Sequence, residues 1–215
     1  MSDGGREPIY GGDDWRTGDA PHEHEAVYDF FVDLIRGGLA QVAFLGAPAL
    51  WIVAGTPVYT VEIATAAGSA LVVLGLLITT FRGGHFSVGR PWPVLTNRRL
   101  GTTGWRAFLT RSVYLSSTLL VVVFGGVLAQ AAGGSSLANV LVAGALSVAA
   151  LVALPYLSAS TPRARIGRFC YCVLGLLPPV VVALTGTDPT GVLAAVTVLA
   201  LAAVDTRPIA AMRGR

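Results

Sequence analysis

Beyond residue 37 the chain carries twelve arginines, and every one lies between apolar runs or at the edge of one. That placement constrains the fold more than any motif does. An uncharged apolar run of about 20 residues, at ~1.5 Å per residue in a helix, is long enough to cross a hydrocarbon core of ~30 Å. Six runs of roughly that kind occur, at about 37–56, 58–81, 112–132, 137–157, 168–184 and 191–204. They predict an all-α integral membrane bundle of six transmembrane helices, paired as three hairpins, with an amphipathic helix on the N-terminal side.

The charge pattern orients the bundle. The turns at Gly55–Pro57, at Gly133–Ser136 and around Gly186, Asp188 and Pro189 contain no arginine. The connector from Arg82 to Arg111 contains six and no acid, the link after the fourth run holds Arg163, Arg165 and Arg168, and the tail holds Arg207, Arg213 and Arg215. By the positive-inside rule those three segments and both termini face the cytoplasm, which predicts a multi-pass protein of the cell membrane. Only 13% of residues are charged, against about 25% in soluble domains, so the sequence pI of 9.2 reads as topology and headgroup contact rather than nucleic-acid binding. The basic residues are all arginine. Without lysine there is no Schiff base to retinal or pyridoxal and no Walker-type phosphate loop.

Nine of the twelve acids fall in residues 1–36, against three arginines there. Residues 1–20 read as a disordered acidic tail, and no basic segment followed by an apolar one marks a cleavable signal peptide. Residues 21–36 read as an amphipathic cytoplasmic or interfacial helix. Val27, Phe30, Phe31, Leu34 and Ile35 share one face, and Glu25, Asp29, Asp33 and Arg36 take the other. Glu25, Asp29 and Asp33 form a self-repelling stripe at i, i+4 spacing, which reads first as a solvated face, with docking on Arg98, Arg99 or Arg106 as the sharper hypothesis.

Within the connector, Pro91 and Pro93 flank Trp92 and forbid regular helix, while Trp105, Phe108 and Leu109 share a helical face that leads into the third span. Arg90, Trp92, Arg98, Arg99, Trp105 and Arg106 thus form a candidate face for anionic lipid headgroups or for another membrane or cytoplasmic protein, beside their plainer role as topology anchors. The tail at 206–215 extends the same side.

The odd-numbered spans carry helix-breaking residues near mid-depth: Pro48 after Gly46, Gly125 with Gly126, and Pro178 with Pro179 after Gly175. Interrupted helices in corresponding positions point to a solute path, and Glu62, one turn inside the second span, would stand at its mouth. The path would then comprise Pro48, Glu62, Gly125, Gly126, Pro178 and Pro179, unless these are ordinary packing residues of membrane helices. No acid or histidine lies at mid-depth, which argues against a proton-coupled pump and excludes a bis-histidine haem. His22 and His24 do not share a helical face, so no metal site is assigned. Nor does any nucleophile and base pair suggest an enzyme, and no cofactor is expected.

Asp205 reads as an interfacial ion pair or cap. Gln41, Gln130 and Asn139 read as interhelical hydrogen-bonding groups. Cys170 and Cys172, two apart on a helix, point to different faces and form no disulfide. The function expected is a non-enzymatic scaffold or accessory subunit working through the arginine-rich face. The alternative is a facilitator or permease for a small neutral or weakly polar solute.

Overall fold

A computed structural model of the chain describes residues 28–29, 31–32, 34–57, 59–82, 102–157, 161–185 and 189–206. Among them every extended element is a helix. Helix α1 (Leu34–Leu45) opens with a π-helical stretch over Leu34–Leu39 and is followed after a single residue by α2 (Ala47–Ala54). The two meet at 67°, so the expected first span is bent into two legs. The break falls at Gly46, whose amide still bonds Val42 O at 2.8 Å. Pro48 sits in the first turn of α2, where a helix needs no amide donor, so the proline starts a helix rather than kinking one.

Helix α3 (Thr60–Arg82) begins after Tyr59, which holds a left-handed φ of 58° and accepts the first helical bond from Ile63 N at 2.8 Å. Thr56, in the turn before this helix, donates its hydroxyl back onto Ile52 O of α2 at 2.8 Å. Helix α4 (Thr102–Gly133) has 32 residues, more than a bilayer crossing requires, so the expected interfacial segment and the third span form one continuous rod. Gly134, at φ 66°, ends it with its amide on Gln130 O. Helix α5 (Ser136–Leu157) starts with Leu137 N on the Ser135 hydroxyl, and α6 (Pro162–Thr185) with Ala164 N on the Thr161 hydroxyl. Helix α7 (Pro189–Thr206) completes the bundle.

The break expected at Gly125 and Gly126 is absent: α4 runs straight through it. Pro178 and Pro179 likewise lie inside α6 without ending it. A helix tolerates these residues where neighbouring helices pack closely enough to fix its course. Four of the helices are long and apolar enough to cross a membrane, five if the bent pair counts as one, and the described apolar run of α7, Ala195–Thr206, is shorter. The exposed surface is itself apolar, with Val61 and Val72 on α3, Leu141 on α5, Val181 on α6 and Leu193 on α7. Such a surface is consistent with a membrane protein.

Helix α4 is the axis. All nine residues from Ser112 to Leu120 are buried, and α2, α3, α5, α6 and α7 all pack on it. Helix α1 meets α4 with its last turn and lies against α3 through Gly38: a β-carbon there would stand 2.3 Å from Gly75 O and 2.6 Å from the Thr79 hydroxyl. Arg82, the start of α4, Leu157, Pro162 and Thr206 mark one end of the bundle, called here the arginine end; the Gly134–Ser135 turn marks the other, the short-turn end.

Of the N-terminal amphipathic segment, Tyr28, Asp29, Phe31, Ile35 and Arg36 are exposed, while Glu25 and Asp33 lie outside the described residues. So do Arg90, Trp92, Arg98 and Arg99; Trp105 and Arg106 are placed on the first turns of α4 by backbone only.

Candidate functional site: the polar face of the central helix

Five hydroxyls occur in seven residues of α4, at Ser112, Tyr114, Ser116, Ser117 and Thr118, and all five are buried. Their density in an apolar span was the available sequence signal, and composition averaged over the span hides it. The break at Gly46 explains two of them. Ser112 Oγ donates to Leu45 O at 2.9 Å and Ser116 Oγ to the same oxygen at 3.3 Å. Leu45 is the last residue of α1, where carbonyls run out of helical donors, and the serines of α4 supply them.

One turn along, the rings of Tyr114 and Tyr171 stack with centroids 5.6 Å apart. Tyr114 donates its hydroxyl to Ala150 O on α5, and Tyr171 donates to Thr118 Oγ1 at 3.4 Å. Ser117 bonds its own helix at Val113 O, 2.7 Å away. Gly175 of α6 packs so close that a β-carbon would meet Ser117 O at 3.0 Å and Leu120 Cβ at 3.4 Å. The glycine therefore permits helix contact rather than opening a gap.

At the arginine end, three helices meet on one carboxylate and a fourth joins through its arginine partner. Arg168 of α6 donates Nε to Asp205 Oδ2 of α7 at 2.7 Å, and Thr110 of α4 donates to Asp205 Oδ1 at 2.7 Å. Arg168 also donates through its terminal nitrogen to Leu157 O, at the end of α5. Asp205 is thus in an ion pair, as the sequence suggested. Its partner is an arginine that the charge pattern had assigned to topology.

At the short-turn end the buried Asn139 donates Nδ2 to Glu62 O at 2.9 Å and to Gln130 Oε1 at 2.8 Å, which makes Asn139 and Gln130, two of the three expected amides, interhelical partners. Its Oδ1 has no N–H or O–H donor and faces Gly126, where a β-carbon would stand 2.3 Å away. The glycine Cα–H groups take that place, a weak hydrogen bond of a kind common where helices touch.

Of the solute-path residues, Glu62 and Gly126 are therefore brought together, both through Asn139. Gly125 faces Leu146 of α5, Pro48 is half-buried two residues beyond Gly46, which itself packs on Leu119, and Pro178 and Pro179 lie on α6, half-buried and buried. Cys170 is exposed and Cys172 buried, on different faces as expected. Among the described residues no three of His, Cys, Asp and Glu gather as metal ligands.

A family model described as "Domain of unknown function (DUF8215)" matches residues 27–161, well over half of the chain. The chain belongs to this family. The matched segment of this DUF8215 member holds the break at Gly46, the hydroxyl run of α4 and the Asn139 cluster; Arg168, Tyr171 and Asp205 lie beyond it. No curated protein and no solved structure matches the chain.

Proposed function

We propose that this protein is a six-span, non-enzymatic membrane scaffold or accessory subunit, with both termini cytoplasmic, that engages anionic lipid or a partner protein through its arginine end. The observation that carries this reading is the close packing of α4. Its hydroxyls bond to chain atoms at Leu45, Val113, Ala150 and Tyr171, and the glycines of neighbouring helices close on it at Leu119 and Ser117. Polar groups engaged within the chain stabilise a rigid axis. Arg90, Arg98, Arg99 and Arg106 of the connector and the arginines of the tail are then the groups we assign to headgroups and partners, each contributing about 1 kcal/mol near an anionic surface.

Reconstitution tests it against the facilitator reading. The full chain in zwitterionic vesicles, and in vesicles with one third anionic lipid, is assayed for thermal stability and for permeability to glycerol and urea. The scaffold reading expects permeability equal to that of empty vesicles, and a stabilisation by anionic lipid that Arg98→Gln with Arg99→Gln reduces. A severalfold rise in glycerol or urea permeability overturns it in favour of transport.

A further inference from the structure

Of the three arginines in the first two turns of α6, Arg163 is exposed, Arg165 is half-buried and Arg168 is 3% exposed. Only Arg168 turns inward, and it turns onto the single charged residue of α7. Helix α7, with 18 residues over Pro189–Thr206, is shorter than α3, α4, α5 and α6, and Asp205 lies in its last turn, its side chain 8% exposed. A lone carboxylate near the end of a short apolar helix opposes insertion, and pairing with a buried cation removes the opposition. Both carboxylate oxygens are occupied, Oδ2 by Arg168 and Oδ1 by Thr110. Arg168 in turn supplies a donor to Leu157 O, the carbonyl of the last residue of α5.

We propose that Arg168 is the counter-ion that makes α7 a membrane span, so that this pair decides on which side the basic tail with Arg207, Arg213 and Arg215 emerges. The inference rests on the six-span reading. Helix α6 enters first in sequence and presents the guanidinium; α7 then crosses with its charge neutralised and locked to α4 through Thr110. The two residues are unequal in this role. Losing Asp205 leaves α7 wholly apolar and able to insert, whereas losing Arg168 leaves it carrying an unpaired acid.

The test places a topology reporter after Arg215 of the full chain and reads the side it occupies in membrane-extracted material. In the unsubstituted protein the reporter is expected on the side of the 82–111 connector. Arg168→Leu is expected to lower the ratio of inserted to uninserted α7 about tenfold, equivalent to about 1.4 kcal/mol. Asp205→Leu alone, the pair Arg168→Leu with Asp205→Leu, and the swap Arg168→Asp with Asp205→Arg are each expected to keep the reporter on the connector side. A reporter on the opposite side in the unsubstituted protein contradicts six spans. A correct unsubstituted result with no shift in Arg168→Leu overturns the counter-ion role alone. If Arg168→Leu yields no protein, recovery of the double leucine variant at the unsubstituted level supports the role, and its loss overturns it.

Discussion

Ser112 donates its hydroxyl to the carbonyl of Leu45 at 2.9 Å, joining the central helix to the broken end of the first one across 67 residues of sequence. Ser116 reaches the same oxygen from one turn further on, at 3.3 Å. The shared acceptor gives the two serines a coupled energetic role. Either alone keeps Leu45 O satisfied, so Ser112→Ala or Ser116→Ala is expected to cost under ~1 kcal/mol. The double variant leaves a buried carbonyl without a donor and is expected to cost about 1–3 kcal/mol. Reversible unfolding in mixed detergent micelles measures this; strictly additive losses would contradict the shared acceptor.

Gly38 and Gly68 form a matched pair for testing how α1 is held. A β-carbon at Gly38 meets the backbone of α3 at Gly75 O, which cannot rotate away, whereas at Gly68 it meets nothing within 4 Å. Gly38→Ala is expected to destabilise by about 1–3 kcal/mol. Gly68→Ala is expected to be neutral or to stabilise by up to about 1 kcal/mol through helix propensity. The same unfolding assay reads both, and equal effects would show that α1 does not rest on α3.

The Gly126 and Asn139 contact predicts a rescue. Gly126→Ala drives a β-carbon into Asn139 Oδ1 and is expected to cost about 1–3 kcal/mol. In an Asn139→Ala background the closest obstruction is gone and only Asn139 O at 3.2 Å and Ala66 Cβ at 3.3 Å remain, so the further cost of Gly126→Ala is expected to fall to about 1 kcal/mol. A double-mutant cycle with no coupling would remove this contact from the account.

The acidic stripe gives a prediction by charge exchange. If Asp29 docks on Arg99, then Asp29→Arg and Arg99→Asp each lower stability in low salt, and the two together recover most of it. No recovery in the double variant, measured in thermal melts at low ionic strength, would leave Asp29 a solvated residue.

The sequence foreshadowed the helices better than their meetings. Apolar run length and the placement of arginines are properties of single segments, and both follow from the bilayer alone, so α3 to α6 were readable to within a few residues at most ends. Gln130 and Asn139 were readable as interhelical partners, because a large amide in an apolar span has few other ways to be satisfied. The hydroxyl run from Ser112 to Thr118 was not. A serine or threonine in a helix can bond its own carbonyl four residues back, as Ser117 does with Val113, so nothing local says that Ser112 and Ser116 cross to Leu45. The pairing of Arg168 with Asp205, 37 residues away, likewise depends on which face of α6 turns inward. Pro48 misplaced the break by two residues, since a proline marks the start of a helix as readily as its interruption.

Labelling single cysteines in intact cells tests the orientation of the whole bundle most directly, with Cys170 and Cys172 first replaced by Ala. With a membrane-impermeant maleimide, Ser135→Cys in the short turn is predicted to label from outside, and Leu95→Cys in the connector only after the membrane is permeabilised. Labelling of Leu95→Cys in intact cells as readily as Ser135→Cys would contradict the account.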